Sequence, residues 1–313
     1  MERMANTQGS SLDREPTTAA PRSGARTVAG VFRSTPAHWV GNGFQVSSYF
    51  PRPNLPVERV SPFLLMDYGP RREFSPLQSG KRGVGWHPHR GFETVTIAWE
   101  GAVAHGDNAG NQGVIGPGDV QWMTAASGII HQEFHEESFA RRGGAMHMMQ
   151  LWVNLPKKDK MGPPGYQPIV EAQIPRVSLA EGAGSVRVIA GEFEGASGPA
   201  KTFTPVTLLD VTLKAGGRLP ITLPAHHNAM AIVASGSVSV GGKSVSAGEL
   251  VLFENDGDRM ELVARDEAHV LVLGGEPIDE PVVQYGPFVM TTEDEIKQAY
   301  RDFQSGKFGP LPE

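Results

Sequence analysis

The chain contains no cysteine among its 313 residues, which excludes a disulfide framework and a thiolate site. It also lacks any apolar run of the ~20 residues that a helix needs to cross a bilayer, so we expect no membrane partner. Positive charge is not in excess, because 28 Lys and Arg stand against 34 Asp and Glu. A general nucleic-acid binder needs a basic surface, so no direct nucleic-acid binding is expected. These features together fit a cytoplasmic protein.

The N-terminal segment also lacks the apolar core of a signal peptide. Its sequence, MERMANTQGSSLDREPTTAAPRSGA, mixes Ser, Thr and Pro with charges of both signs. Such a composition cannot bury enough apolar surface to fold. We therefore predict a disordered leader over residues 1–25, with the fold beginning near Arg26.

Glycine and proline are abundant, with 38 and 25 residues, and this favours many turns and short strands. Short apolar runs such as FETVTIAWEG and GELVLFE recur along the chain at the spacing of a barrel or sandwich. One segment has helical periodicity, since Ile296, Tyr300 and Phe303 fall on one face after an acidic first turn. The sequence therefore predicts an all-β fold with a short C-terminal helix over residues 291–306.

The two halves of the chain repeat one pattern of strand, glycine, hairpin, Gly-acid turn and apolar strand. The first copy is WEGAVAHGDNAGNQGVIGPGDVQWMT and the second is ASGSVSVGGKSVSAGELVLFE. An internal repeat of this kind constrains the fold more than any single strand does. We predict two small β-barrels, over residues 26–156 and 173–290, joined by a Pro-rich linker over residues 157–172.

Two histidine-containing pairs in the first half have the spacing that puts both side chains on one face of a strand. His87 and His89 are two residues apart, and so are His131 and Glu133. Three imidazoles and one carboxylate would form a mixed nitrogen and oxygen site for one divalent transition metal, with iron, manganese, nickel, copper, cobalt and zinc all chemically suitable. A single such pair is more often incidental, but two pairs in matching parts of a barrel favour a metal site.

The second half offers no equivalent pair. Its adjacent histidines, His226 and His227, would point to opposite faces of a strand. We therefore predict that the second barrel holds no metal and serves as a structural unit or a binding surface.

Other polar residues near these pairs are weaker candidates. Glu93 is four residues beyond His89, so on a continuous strand the two side chains would lie on the same face. It is either an outer partner of the site or an ordinary strand residue. His105 and Asp107 are expected in a surface hairpin, with a position on the rim of a cavity as the second interpretation. His135 is expected to be exposed, and His147, which alternates with methionines, to be packed and hydrogen-bonded. The chain has neither a phosphate-binding glycine loop nor a Gly-x-Ser-x-Gly elbow.

Four blocks, HPHRGFETVT, GDVQWMTAASGIIHQE, QLWVNLP and QYGPFVMTTEDEI, closely resemble the pirin family of the cupin superfamily. The resemblance runs from about Arg26 to the C-terminal helix and implies two tandem cupin barrels of the double-stranded β-helix, or jelly-roll, type. It implies one metal, usually iron, in the N-terminal barrel and none in the C-terminal barrel. The ligand pattern of the family falls on His87, His89, His131 and Glu133, whereas the hairpin HGDNAGNQG departs from its commoner versions.

The resemblance implies two functions. One is a quercetin 2,3-dioxygenase-like enzyme that opens a flavonol-type phenol with O₂, with Glu133 as the catalytic base for the substrate hydroxyl. The alternative is a non-enzymatic, redox- or metal-gated regulator that binds a transcription factor or a metabolic enzyme. An acidic segment, HQEFHEES, and a basic segment, KKDK, would offer the surface for that partner. A purely structural protein with a vestigial site is the third interpretation.

Overall fold

The computed structural model of the protein describes residues 23–311. Of the described residues, 53% lie in strands and 10% in helices, so the prediction of an all-β fold is confirmed. Most of the predicted leader lies outside the described residues. The end of that leader belongs to the fold, because the Gly24 amide donates to Asp258 Oδ1 at 2.9 Å and Ala25 forms a β-bridge with Arg259.

The first half of the chain forms two sheets. One has seven strands in the order β12-β9-β6-β11-β4-β3-β2, and the other has four in the order β5-β10-β7-β8. The strands of this half are β1 (Val28–Arg33), β2 (His38–Val40), β3 (Phe44–Phe50), β4 (Phe63–Phe74), β5 (Gly83–His89), β6 (Phe92–Glu100), β7 (Val103–Asp107), β8 (Gln112–Ile115), β9 (Val120–Thr124), β10 (Ile129–His135), β11 (Gly144–Asn154) and β12 (Gly165–Ile169).

The second half repeats this arrangement. Its seven-stranded sheet has the order β1-β22-β19-β24-β17-β14-β13, and its four-stranded sheet has the order β18-β23-β20-β21. The strands are β13 (Arg176–Ser178), β14 (Gly184–Ala190), β15 (Glu192–Phe193), β16 (Ala196–Ser197), β17 (Val206–Leu213), β18 (Arg218–Thr222), β19 (Asn228–Ser235), β20 (Ser237–Val240), β21 (Lys243–Ser246), β22 (Glu249–Phe253), β23 (Arg259–Ala264), β24 (Ala268–Gly275), β25 (Val283–Tyr285) and β26 (Phe288–Met290).

The strand orders of the two halves correspond one to one, so the predicted repeat is confirmed as two jelly rolls. Each consists of a large and a small sheet that do not close into a continuous barrel. The two large sheets bury a shared apolar core between the halves, to which Trp122, Met149, Leu208 and Leu271 all contribute with no exposed surface. Burial on this scale is the main force that holds the two units together.

The ends of the chain cross between the two units. Strand β1 pairs with β22 of the second unit. In that sheet it occupies the edge position that β12, which pairs with β9, occupies in the first unit. In return, the C-terminal segment packs on the first unit, where Phe288 bridges Arg90 and clusters with Ile130. Arg90 also forms a buried ion pair with Asp302 at 2.9 Å and lies over the ring of Phe308. The C-terminal segment thereby covers the turn that joins β5 to β6.

The structure contains the predicted C-terminal helix, α3 (Glu293–Gln304), which begins at a capping box formed by Thr292 and Glu295. The sequence missed α1 (Val57–Val60) and α2 (Glu137–Arg142), since neither is long enough to show helical periodicity. Two short 3₁₀ turns, Glu171–Gln173 and Ala180–Gly182, complete the helical elements of the described residues. No helix within residues 23–311 has the length and apolarity that crossing a membrane requires.

A buried polar network ties the two units together at the edge of the shared core. Asp210 of the second unit accepts hydrogen bonds from Trp99 of the first unit at 3.1 Å and from Arg187 at 2.6 Å. His269 contacts the other carboxylate oxygen of Asp210 at 2.5 Å. Arg187 also donates to the Gly118 carbonyl oxygen of the first unit. The network therefore fixes the orientation of the units where apolar packing alone is not directional.

Candidate metal centre

The two predicted pairs lie on neighbouring antiparallel strands of the small sheet in the first unit. His131 of β10 is directly opposite His87 of β5, and Ile129 is opposite His89. Directly paired residues lie on one face of a sheet, so all three imidazoles project into the same interior. A register irregularity follows His131 and places Glu133 opposite Val84. The three histidines therefore come together, as the alternation of side chains along each strand predicts.

The three imidazoles converge closely enough to hold one metal ion. One nitrogen from each of His87, His89 and His131 lies within 4.8 Å of the others. His131 is 1% exposed, yet neither of its ring nitrogens has a hydrogen-bond partner, and Nδ1 of His89 also lacks one. Leaving buried polar atoms unpaired costs free energy unless a ligand satisfies them. The donor set and its unpaired nitrogens thus fit a divalent transition metal.

Contacts around the cluster fix which nitrogens face it. Nδ1 of His87 donates to the Gly85 carbonyl oxygen at 2.8 Å, which leaves Nε2 as the free ligand atom. The ring of His89 packs against Phe92 and Trp152, with centroid distances of 5.1 Å and 5.3 Å. These aromatic rings hold the imidazole and keep water from one side of the cluster.

Burial also sets the protonation state of the cluster. Desolvation, followed by the charge of His87, lowers the pKa of His89 to about 3. Desolvation and the neighbouring imidazoles hold the pKa of His131 well below its usual range. Both rings are therefore neutral near pH 7, so a metal ion does not compete with protons for their lone pairs.

Glu133 lies at the edge of this cluster but is not one of the three residues that meet within 4.8 Å. Both of its carboxylate oxygens accept from Nε2 of Gln150 at 3.3 Å, and the same amide reaches Thr96 Oγ1 at 3.4 Å. Burial raises the pKa of Glu133, while His87, Gln150 and Thr96 act in the opposite direction. The carboxylate is thus oriented at the site, and its predicted role as the fourth ligand remains a prediction.

The interpretation of Glu93 as an outer partner of the site is wrong. A turn at Gly91, with φ of 89°, separates β5 from β6, so face parity does not carry over from one strand to the next. The side chain of Glu93 points away from the interior that holds the three histidines and toward the core between the two units. There, Thr124 Oγ1 donates to it at 2.7 Å. The even-numbered Phe92 and Thr96 are the residues of β6 that face the site.

Glu93 nevertheless leads to a prediction about pH. Burial raises its pKa from 4.5 to about 7, so between these values the unfolded chain is ionised and the folded one is not. The free energy of unfolding should therefore fall as pH rises through this window, by on the order of 3 kcal/mol for this group. We expect Glu93→Gln, which keeps an acceptor for Thr124, to remove this slope and to be more stable than the wild type at pH 8. Urea unfolding at pH 5 and pH 8 measures it, and an unchanged slope would contradict it.

His105 and Asp107 lie on strand β7 of the β7–β8 hairpin and are not exposed at the surface, so the first interpretation of both residues is wrong. They stand directly opposite Glu133 and His131, respectively, and lie on the face of the sheet that carries the histidine cluster. Asp107 is buried and accepts from the amides of the following turn, whereas His105 lines a cavity. The second interpretation, a position on the rim of a cavity, is confirmed for His105.

The prediction for His135 is wrong, and the prediction for His147 is confirmed. His135 is buried and not exposed, because Phe74 and Phe139 surround its ring and the Gly43 carbonyl oxygen accepts its Nε2–H at 2.8 Å. His147 is buried and lies 2.9 Å from the Tyr68 hydroxyl, so its prediction as a packed, hydrogen-bonded residue is confirmed.

His226 and His227 lie in the turn between β18 and β19, so the strand-parity argument does not apply to them. His226 is exposed and His227 is buried.

Sequence reasoning missed the large-sheet residues that complete the site. Gln150 and Trp152 alternate along β11 and contact Glu133 and His89, respectively. The sequence shows that these two residues lie on one face of a strand. It does not show that β11 pairs with β6, and this pairing brings them over the small sheet. Tyr166 of β12 was also missed, because its segment reads as a polar, Pro-rich linker.

The fold agrees with comparisons to known proteins. Residues 43–153 match the family model described as Pirin, and residues 208–309 match the one described as Pirin C-terminal cupin domain. A Pseudomonas aeruginosa protein named "Putative quercetin 2,3-dioxygenase" is 50% identical over 283 residues, 90% of this chain and 98% of that protein. The crystal structure of a quercetin 2,3-dioxygenase from Acinetobacter baumannii matches with a TM-score of 0.89 at 43% identity, covering 92% of this chain and 100% of that chain.

A more distant structure shares the fold. A bacterial pirin from Escherichia coli, solved in complex with nickel(II), matches with a TM-score of 0.58 at 20% identity, covering 80% of this chain and 100% of that chain. The two family models fall on the two jelly rolls in the order that the sequence repeat predicts. The chain belongs to the pirin family.

Proposed function

We propose that this protein is a metal-dependent dioxygenase that opens a flavonol-type phenol with O₂, with Fe²⁺ held by His87, His89, His131 and Glu133. The observation that carries the proposal is the convergence of three imidazoles beside a buried carboxylate, with unpaired buried nitrogens on His89 and His131. The similarity to relatives named for quercetin 2,3-dioxygenase activity supports the substrate class. Manganese, nickel, cobalt, copper and zinc suit the same donor set.

The residues of the chain have distinct roles in this proposal. A metal ion bound here would supply Lewis-acid and redox chemistry to the substrate and to O₂. Glu133 accepts the proton of the substrate hydroxyl at a carboxylate oxygen, and its raised pKa brings it closer to the working pH of a general base. Gln150 orients that carboxylate by bonding both oxygens. Phe92 and Trp152 exclude water from the face of His89.

The alternative, a metal-gated partner protein, gains no support from the two segments that suggested it. In the acidic segment, Glu133 is buried and Glu136 caps helix α2 through two backbone amides. In the basic segment, Lys160 is 1% exposed and donates to the Gly91 carbonyl oxygen at 2.7 Å and to Asn154 at 2.6 Å. Glu137, Lys157 and Lys158 are exposed, whereas the other charges named act within the fold, and the partner function remains a prediction.

The test of the proposed function is O₂ consumption by the iron-loaded protein with quercetin. We expect turnover by the wild type and a fall in kcat of about 100-fold or more for Glu133→Gln, which keeps the shape of the side chain but cannot accept the proton. Glu137→Gln is the matched control, since Glu137 is exposed and pairs with Arg141 on the same helix. An iron-loaded wild type that takes up no O₂ with quercetin or related phenols would overturn the proposal.

A further inference from the structure

A cavity of about 650 Å³ opens at the edge of the first unit, between β8 of the small sheet and β12 of the large sheet. His105, Gln121 and Tyr166 belong to its lining. Its volume lies in the range of cavities that hold small organic ligands. Because the two sheets do not close here, the cavity lies at an open edge of the jelly roll whose interior holds the histidine cluster.

The opposite edge of the same unit is closed at the start of β5, although His87 farther along that strand is half-exposed. The loop between β2 and β3 packs on the start of β5, where the Asn42 amide donates to the Gly83 carbonyl oxygen at 3.1 Å. A Cβ atom added at Gly43 would lie 2.4 Å from Cα of Gly83, which shows how closely the two backbones approach. This contact closes the edge at Gly83, whereas the edge between β8 and β12 holds the cavity.

His105 and Tyr166 form the inner wall of this cavity. Their rings stack with a centroid distance of 5.4 Å and an interplanar angle of 27°. His105 stands opposite Glu133 in the strand register, so the wall adjoins the metal cluster directly. The His105 ring also lies over Gly113 of β8, where an added Cβ atom would be 2.6 Å from its Nε2.

Two polar atoms of this wall are buried without partners. Nδ1 of His105 and the hydroxyl of Tyr166 make no hydrogen bond within 3.5 Å among the described residues, although the carboxylate of Asp107 lies close enough to the hydroxyl to raise its pKa. Burial raises the pKa of the Tyr166 phenol, and the negative charges of Asp107 and Glu133 raise it further, so it remains a hydrogen-bond donor at neutral pH. Buried donors of this kind cost stability unless a ligand satisfies them.

We propose that His105 and Tyr166 position the substrate, their unpaired atoms bonding a second oxygen of an aromatic ligand whose first oxygen lies at the metal. This assignment rests on the proposed function, because it takes the flavonol class from that proposal. The assignment makes the proposed function more specific, because it selects planar phenols that carry at least two oxygen substituents. The cavity beyond the wall accommodates the ring that projects away from the metal.

Tyr166→Phe tests the proposal because it removes only the hydroxyl and keeps the stacked ring. We measure quercetin binding to zinc-loaded protein under air-free conditions, where zinc occupies the cluster without redox turnover. We expect affinity to fall about 5-fold, the equivalent of one lost hydrogen bond. We expect the melting temperature of the free protein to stay unchanged or to rise, because the hydroxyl that is removed has no partner there.

A purely structural role for Tyr166 predicts the opposite result, a lower melting temperature in the free protein. Tyr285→Phe is the matched control, since Tyr285 is 68% exposed and far from the wall in the sequence. Wild-type affinity in Tyr166→Phe, or an equal loss in the control, would overturn the assignment. A wild type that binds quercetin but consumes no O₂ would sink the proposed dioxygenase and leave this site standing. A wild type that does not bind quercetin would overturn both.

Gly113→Ala provides a second test that changes no polar group. Its new methyl group would displace the His105 ring, and we expect quercetin affinity to fall about as far as in Tyr166→Phe. Gly106→Ala is the matched control on the neighbouring strand, because its Cβ atom would have no neighbour closer than 3.6 Å. Equal quercetin affinity in the two glycine variants would remove His105 from the proposal.

Discussion

His131→Ala is expected to lose its bound metal while the chain stays folded. His131 is the most buried of the three clustered imidazoles, and both of its ring nitrogens lack partners. Removing one of three converging ligands should lower metal affinity by about 100-fold or more. Elemental analysis after dialysis against a fixed metal concentration measures this, with about one metal ion per wild-type chain and close to none per variant chain.

The same variant should respond differently to metal in a thermal unfolding experiment. A ligand at 100 times its Kd stabilises the folded state by about 2.7 kcal/mol. We therefore expect added metal to raise the melting temperature of the wild type but not that of His131→Ala. Without metal the variant should unfold at nearly the wild-type temperature, because the deleted imidazole has no hydrogen bond to lose.

His226→Ala is the matched control for this prediction. His226 is an exposed histidine of the second unit, and its nearest acidic neighbour, Glu276, is 3.8 Å away. We expect the control to bind metal as the wild type does. Full metal content in His131→Ala would mean that the cluster is not the metal site, and unfolding of the metal-free variant would mean that the imidazole is structural.

The convergence of the three histidines was predictable from the sequence because it needed only the alternation of side chains along two strands. His87 and His89 lie within β5, and no turn or bulge interrupts the strand at Pro88 between them. The same reasoning failed for Glu93, because the turn at Gly91 separates it from β5. Parity is a property of one strand, so it cannot be extended past a point where the strand ends.

Features that depend on distant contacts could not be predicted. The pairing of β1 with β22 joins Val31 to Val251, more than 200 residues along the chain, and no local pattern specifies it. The burial of His135 likewise depends on Phe74, which the structure brings against it from β4. The C-terminal helix was predictable because Thr292 and Glu295 carry its start signal in the sequence itself.

Asp210→Asn is expected to destabilise the protein more than any other change at the boundary between the units. The carboxylate is buried and pairs with Arg187, whose side chain is only 9% exposed. Neutralising it leaves the guanidinium in the core without a counter-charge, which costs about 3–5 kcal/mol. It also weakens the acceptor for Trp99, the direct link to the first unit. Urea unfolding at pH 7 measures the loss.

The pH dependence of this effect has a definite sign. Burial alone would raise the pKa of Asp210, but the hydrogen bond and charge of His269, together with Arg187 and Trp99, hold it below its ordinary value of 3.8. A carboxylate with a depressed pKa contributes stability that is fully present above its unfolded pKa. That contribution is lost as pH falls through the lower folded value. The difference in stability between wild type and Asp210→Asn should therefore be full at pH 7 and shrink below pH 3.8.

Two further variants separate the buried pair from surface electrostatics. Glu261→Gln is the matched control, because Glu261 pairs with Arg218 on the exposed face of the second unit and such pairs contribute little. In the double variant Asp210→Asn with Arg187→Met, the stranded charge is gone, so the total loss should be smaller than the sum of the two single losses. Additive losses, or a loss in Glu261→Gln as large as in Asp210→Asn, would contradict the account of Asp210 as the counter-charge that joins the two units.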